Sequence, residues 1–115
     1  MDDLELSGGT WWLRSARVDG QDVTLPEGAE VSLEVVDGQA VGRAACNRYG
    51  AALTVTGEAV RLGPPRRTMM ACEAPLLTLE HVYLLALERV EAGSRDGGAM
   101  TLSGPGVHLQ FSREG

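Results

Sequence analysis

The stretch VSLEVVDGQAVGRAACNRYGAALTVTGEAVRL, residues 31–62, decides the fold class. Apolar and polar side chains alternate in much of it, as they do along strands that bury one face. Asp37-Gly38 and Gly57-Glu58 separate the alternating runs and are suited to the tight turns that join antiparallel strands. The stretch therefore predicts two consecutive β-hairpins. Gly63-Pro64-Pro65 ends them, because proline cannot donate a ladder hydrogen bond.

Strands are also predicted on both sides of this stretch. Upstream, Trp11 to Val18 forms a strand that the turn Asp19-Gly20 closes. Near the end of the chain, a strand around residues 100–102 and the alternating run 107–111 flank the turn Gly104-Pro105-Gly106. We expect these last two strands to form a closing hairpin.

A helical pattern occupies about residues 73–91. At 100° per residue one apolar arc forms, with Pro75 acceptable in the first turn and Gly93 placed to end the helix. The arc contains Val82, Pro75, Ala86, Leu79, Val90, Tyr83, Leu76 and Leu87. Glu80 falls on the polar side. Leu77 and Leu84 form a second short stripe, which we expect under a loop or strand edge, with a partner surface as the alternative.

These elements predict an α+β fold. It is a small antiparallel sheet or barrel-like domain of about seven to eight short strands, with one amphipathic helix before the last two strands. We assign residues 1–8 to an N-terminal extension and 9–115 to a single domain.

Charge and composition exclude several function classes. The chain has 115 residues, ten arginines, no lysine and sixteen acidic side chains, for a net charge of −6. Binders of nucleic acid or anionic membranes need a basic footprint, so we expect neither role. No apolar run reaches the roughly 20 residues of a membrane span. The start of the chain is acidic, so we expect either a cytoplasmic protein or an exported one whose signal has been removed. We expect a monomer.

Two cysteines allow either a structural pair or chemistry. Cys46 and Cys72 lie 72 − 46 = 26 positions apart, and closing that loop is worth about 3.5 kcal/mol in the chain-entropy model. We expect a disulfide if the protein is exported and neighbouring buried thiols if it is cytoplasmic. As an alternative, Cys72 before the helix suits a nucleophile. The possible bases His81 and His108 show no spacing that supports this.

Other polar candidates carry weaker signals. A zinc site built from both cysteines and both histidines lacks the short paired spacings of structural sites, so we expect no metal and no cofactor. Asn47 is predicted to be a turn residue that satisfies nearby backbone groups. Five arginines allow an anion patch, although solvated faces and carboxylate partners are the more ordinary interpretation; they are Arg43, Arg48, Arg61, Arg66 and Arg67.

Several of these motifs together resemble the META domain, or HslJ-like heat-shock, family. The resemblance spans about residues 9 to 111 and rests on Gly9-Thr10-Trp11-Trp12-Leu13, Cys46-Asn47-Arg48-Tyr49-Gly50, Thr68-Met69-Met70-Ala71-Cys72, and Glu80 with Tyr83 and Leu87. The chain departs from the family pattern at Ala45, where a glycine is usual, and at Leu53, where an aromatic residue is usual.

The resemblance implies an exported α+β domain, often a lipoprotein or part of the bacterial cell envelope, that is associated with heat shock and stress. It carries over no catalytic residue. It implies that Cys46 and Cys72 are a close pair framed by Asn47 and Tyr49, and that Trp11 is a core anchor; Met70 and Glu80 complete the motif. We expect a non-catalytic module that binds a protein, lipid or small ligand. The alternatives are a protease or lysozyme inhibitor and, third, an enzyme that uses Cys72.

Overall fold

Tight turns and alternating side chains build an antiparallel barrel with one helix. The computed structural model describes residues 4–113. Its elements are β1 (Thr10–Val18), β2 (Gln21–Asp22), β3 (Ser32–Val36), β4 (Gln39–Ala44), β5 (Asn47–Thr56), β6 (Ala59–Leu62), β7 (Arg66–Arg67), α1 (Ala74–Glu88), β8 (Ala92–Asp96), β9 (Ala99–Gly104) and β10 (Val107–Ser112).

Eight of the strands close on themselves. The ring runs β1-β3-β4-β5-β6-β8-β9-β10, and β10 pairs with β1 from Trp12↔Ser112 to Val18↔Val107. Closure leaves no open edge among these strands. The short strands β2 and β7 lie outside the ring, paired with β1 and β5. The predicted α+β, barrel-like class is confirmed.

The predicted hairpins form where the turn residues indicated. Asp19 and Asp37 adopt positive φ values of 52° and 49°, and the glycine after each is also left-handed. Positive φ at both central residues is the geometry whose twist matches that of paired strands. The register Val35↔Ala40 places these two side chains on the same face.

Large side chains fill the core. Trp11, Tyr83 and Phe111 are each at most 2% exposed. The Tyr83 ring meets Tyr49 and Phe111 edge-on, at centroid distances of 5.5 Å and 6.5 Å. Such edge-to-face pairs add to the stabilisation from buried area.

The helix ends earlier than predicted, and three strands follow it instead of two. Arg89 caps α1, and its N–H donates to the carbonyl of Ala86. Gly93 therefore does not end the helix. It lies in β8, where an added Cβ would come within 2.9 Å of Leu4 and Val60 side chains. A strand with so little apolar alternation is specified by the close approach of its neighbours, which the sequence pattern does not show.

The buried face of α1 is rotated from the predicted arc. Leu79, Tyr83, Ala86 and Leu87 are buried as expected, but Pro75 is exposed. Glu80, predicted on the polar side, is only 2% exposed. In the second stripe Leu84 is buried at 7% exposure and Leu77 is exposed at 37%. The rotation brings the Glu80 carboxylate into the core.

The segment 4–8, within the predicted extension, packs on the barrel. Leu6 is 3% exposed, and its carbonyl accepts a 2.9 Å hydrogen bond from the Trp11 indole N–H. Arg95 and Arg113 donate to the carbonyls of Glu5 and Ser7. The two guanidinium carbons lie 5.2 Å and 4.4 Å from the Trp11 ring centroid, within cation–π range. Within residues 4–113, no helix is long and apolar enough to cross a membrane.

Candidate functional site

A disulfide joins the β4–β5 turn to the segment before the helix. Ala45 and Cys46 are the two central residues of that turn, since Ala44 pairs with Asn47. Cys46 is bonded to Cys72, and their Cα atoms are 6.0 Å apart. Ala45 has a φ of 64°, in the left-handed region that favours glycine. The position where the family usually has glycine is thus the one that needs it.

Asn47 connects the barrel to the loop that follows β7. It is the first residue of β5 and fully buried, so the prediction of a turn residue is wrong. Its Oδ1 accepts 2.7 Å and 2.8 Å hydrogen bonds from the Met70 N–H and the Thr68 hydroxyl. The Asn47 side chain therefore satisfies a backbone N–H that lies 23 residues away in sequence, and local turn chemistry cannot predict such a contact.

The Glu80 carboxylate accepts hydrogen bonds from Asn47. One carboxylate oxygen accepts a 2.6 Å bond from the Asn47 backbone N–H, and the other accepts a 2.9 Å bond from its Nδ2. Arg67 Nη1 lies 3.3 Å from the second oxygen. A buried charge is costly unless it is paired and hydrogen-bonded, and these contacts provide both. Glu80 thereby ties α1 to β5 and β7.

A second buried network lies beneath this one. The Tyr49 hydroxyl donates to the Ser32 carbonyl at 2.7 Å and accepts from the Tyr83 hydroxyl at 2.7 Å, because Tyr49 has one proton to give. Burial raises the pKa of Tyr49 and Tyr83, so both hydroxyls stay neutral. At Gly42, a Cβ would lie 2.2 Å from the Ser32 carbonyl oxygen. Glycine therefore allows this close approach.

The loop held by these contacts is exposed. We call residues 68–71 the methionine loop. At its start, Thr68 donates its N–H to the Arg48 carbonyl and accepts the Arg48 N–H at its hydroxyl. Met69 and Met70 are 82% and 56% exposed. We call Cys46, Asn47, Glu80 and Cys72 the clamp, since they fix the loop backbone while the two methionine side chains face solvent.

The sequence profile of the META domain matches residues 4–115, nearly the whole chain. The chain belongs to the META domain family. The predicted resemblance is confirmed, and the match includes the N-terminal segment that packs on the barrel. No curated protein matches the sequence significantly.

Solved structures share the fold of this META domain. An NMR structure of a protein from Burkholderia xenovorans matches with a TM-score of 0.77 at 27% identity, over 95% of this chain and 83% of that one. A crystal structure of a DUF4847 family protein from Bacteroides vulgatus matches with a TM-score of 0.68 at 13% identity, over 95% and 94%. A further NMR structure matches with a TM-score of 0.69 at 18% identity, over 94% and 91%. The latter two likenesses show the fold alone.

The structure collects most of the family-motif residues of this META domain at one place. Cys46, Asn47, Tyr49, Met70 and Glu80 all lie at the clamp or directly beneath it. Trp11 lies apart, beside the N-terminal segment. Sequence reasoning missed the burial of Glu80, although a signal existed: Leu77, Glu80 and Leu84 share one helical stripe, and the structure buries the part of it that contains Glu80 and Leu84.

The residues proposed for other chemistry are exposed or already bonded. In the disulfide, the Cys72 sulfur is not a thiolate. His81 and His108 are both exposed. Within residues 4–113, no group of three His, Cys, Asp or Glu side chains converges as a metal site requires.

A cleft of about 630 Å³ lies between α1 and the β1–β2 region. Its lining is mainly apolar and includes Val18, Val23, Pro75, Leu79 and Val82. Pro75 and Val82 are two of the three members of the predicted apolar arc that are not fully buried, and Leu76 is the third. The cleft therefore marks where the helix face extends beyond the strands.

Proposed function

We propose that this META domain is a non-catalytic, extracytoplasmic binding module that presents the methionine loop to a partner protein. A role in the cell envelope or in the stress response follows from the family resemblance. The observation that carries the proposal is the clamp: Asn47 and the disulfide hold the loop backbone, yet Met69 is 82% exposed.

Rigid presentation of an apolar side chain favours binding. Ordering a flexible loop during association costs free energy, and a loop already fixed avoids much of that cost. Methionine is enriched at protein interfaces, where its unbranched side chain adapts to a partner's pocket. The loop thus combines a preorganised backbone with two adaptable contact groups.

The chemistry of the clamp supports a non-catalytic role. Nucleophilic catalysis needs a thiolate within reach of a base. Both cysteine sulfurs are in the disulfide, and Asn47 and Arg67 use the Glu80 carboxylate. These polar groups are occupied in holding the fold together.

The disulfide supports the extracytoplasmic assignment, because such bonds persist in oxidising compartments. Alkylation of the protein isolated from its natural host, without reductant and under denaturing conditions, followed by intact mass, tests this. We expect no adducts. Two adducts would contradict the assignment.

Photocrosslinking tests the binding role of the loop. A benzoylphenylalanine is placed at position 69 and, as a matched control, at exposed position 110 on β10, across the barrel ring from β5. We expect discrete protein adducts in the natural host from position 69 and none from position 110. Equal adducts from both positions, or none from position 69, would contradict the proposal.

Inhibition of a hydrolase is the second candidate. The attachment of the loop on both sides, at Thr68 and Cys72, is what a segment needs to enter an enzyme cleft and resist cleavage. A panel of extracellular proteases with apolar specificity pockets, together with lysozyme, tests it. If the domain is an inhibitor, one enzyme of the panel is inhibited stoichiometrically, and Met69→Asp abolishes that inhibition. A panel without inhibition dismisses this candidate.

A further inference from the structure

Three arginines share the outer surface beside the methionine loop. Arg43 on β4 lies directly opposite Arg48 on β5, and both are exposed. Gly50, two residues further along β5 on the same face, pairs with Arg66 of β7. Like charges directly opposite each other destabilise a sheet, so the arrangement is unfavourable for the isolated protein.

No carboxylate in the described part of the chain offsets these charges by an ion pair. The described ion pairs join Arg17, Arg61, Arg67 and Arg89 to acidic side chains. Glu30 and Glu34 line a cleft of about 380 Å³ together with Arg43 and Arg48, but neither pairs with them. In a chain of net charge −6, this basic surface stands out against an acidic background.

The basic surface is continuous with the methionine loop. The lining of a shallow cleft of about 320 Å³ includes Arg48, Gly50, Arg66 and Thr68, and Thr68 is the first residue of the loop. A Cβ at Gly50 would lie 3.0 Å from Arg66 Nη2, so glycine lets this guanidinium rest against the sheet. Arg66 also donates to the Gln39 side-chain carbonyl. The cleft thus has an oriented arginine on one side and Arg48 on the other.

We infer that the protein bound by the methionine loop carries an acidic segment, whose carboxylates bind to Arg43, Arg48 and Arg66. This inference rests on the proposed function and names the chemistry of the partner. Guanidinium groups bind carboxylates through two parallel hydrogen bonds, which gives both geometry and affinity. Arginine and methionine are also the side chains enriched at protein interfaces, and both occur here.

A protein partner fits the charge distribution better than an anionic lipid surface. Charges farther apart than the Debye length of about 8 Å are largely screened at physiological ionic strength. A short acidic segment therefore senses the three arginines, whereas an extended anionic membrane also faces the acidic remainder of the chain. The three arginines attract such a membrane, but the net negative charge of the chain repels it.

An NMR titration with a hexaglutamate peptide tests the inference. We expect amide shifts centred on Arg43, Arg48, Arg66 and Thr68 at low salt, which fade as salt is raised. Arg43→Gln with Arg48→Gln should weaken binding about tenfold, the equivalent of roughly 1.4 kcal/mol. The matched control, Arg14→Gln with Arg61→Gln, makes the same charge change on other strands and should leave binding within about twofold.

Several results would overturn the inference. One is a set of shifts spread over all faces, and another is equal weakening by the control pair. A third is binding to phosphatidylglycerol vesicles that needs Arg43 and Arg48 while the peptide does not bind, since that identifies a lipid surface. Absence of peptide binding, with crosslinking at position 69 intact, overturns this inference and leaves the proposed function standing. Thermal unfolding of each variant checks that it folds; the Arg43 and Arg48 pair should be no less stable, because like charges are removed.

Discussion

The methionine loop and the N-terminal segment are both irregular pieces of chain attached to the barrel, yet they are attached by different chemistry. The loop is held by the disulfide, by Asn47 and by the buried Glu80 carboxylate. The segment 4–8 is held by burial of Leu6 and by its backbone carbonyls, which accept hydrogen bonds from arginines and from Trp11.

The two attachments have opposite consequences for the exposed surface. The N-terminal segment buries Leu6, and its backbone carbonyl accepts a hydrogen bond from the fully buried Trp11. The clamp binds the loop through backbone and polar groups, so Met69 and Met70 remain in solvent. Burial of Leu6 closes the surface at the N-terminal segment, whereas the clamp holds its loop without burying either methionine side chain, so both remain available to a partner.

Trp11→Ala should have the largest effect and should affect mainly the N-terminal segment. Removing a fully buried tryptophan costs about 3–5 kcal/mol of unfolding free energy. Urea denaturation measures this loss. Hydrogen exchange should show that the amides of residues 4–8 lose protection, whereas the Met70 amide exchanges only as fast as global unfolding of the variant allows. A loss below about 1 kcal/mol would show that Trp11 does not anchor this region.

Glu80→Ala should affect mainly the clamp and the methionine loop. It leaves the Asn47 N–H and Nδ2 without their acceptors inside the core, which costs about 3 kcal/mol. The exposed Glu88 on the same helix provides the control, and Glu88→Ala should stay within about 0.5 kcal/mol. Urea denaturation compares the two. Equal effects would mean that Glu80 does not support the clamp.

Alkaline pH should act through the tyrosines beneath the clamp. Burial raises the pKa of Tyr49 and Tyr83, while unfolded tyrosines ionise near pH 10. The folded state therefore retains protons that the unfolded state loses. The contribution of the two tyrosines to stability is fully present below about pH 10. Above that pH the free energy of unfolding falls by roughly 1.4 kcal/mol per pH unit for each tyrosine.

Tyr49→Phe should reduce that alkaline slope by about half, because one buried hydroxyl remains. Urea denaturation at a series of pH values between about 9 and 11.5 measures the slope. A slope unchanged in the variant would contradict the assignment of the pH dependence to this pair. The apolar contacts of Trp11 and Leu6 contain no group that titrates in this range.

Ala45→Gly should have the smallest effect and should strengthen the clamp. Alanine at a φ of 64° carries left-handed strain of about 1–2 kcal/mol, part of which the greater freedom of unfolded glycine offsets. We expect a gain of about 0.5–1 kcal/mol in unfolding free energy, measured in urea. Ala44→Gly, in β4 beside it, is the control and should destabilise. A loss of stability in Ala45→Gly would contradict the strain.

Local signals account for the parts of this fold that the sequence predicts. The turn residues at Asp19 and Asp37 predict their hairpins, because the conformation of a tight turn depends on only a few neighbouring residues. The strand containing Gly93 was missed because contacts with distant residues, Val60 and Leu102, specify it. Glu80 was misplaced for a similar reason: a periodic pattern treats a carboxylate as exposed, while its partners on β5 and β7 lie far away in sequence.

We expect the clamp to fix the backbone of a loop whose side chains are exposed. Backbone ¹⁵N relaxation at Met69 and Met70 in the oxidised protein tests it most directly. We predict order parameters near 0.85 at both residues, as in rigid strands. Values below about 0.6 would show a flexible loop and contradict the account.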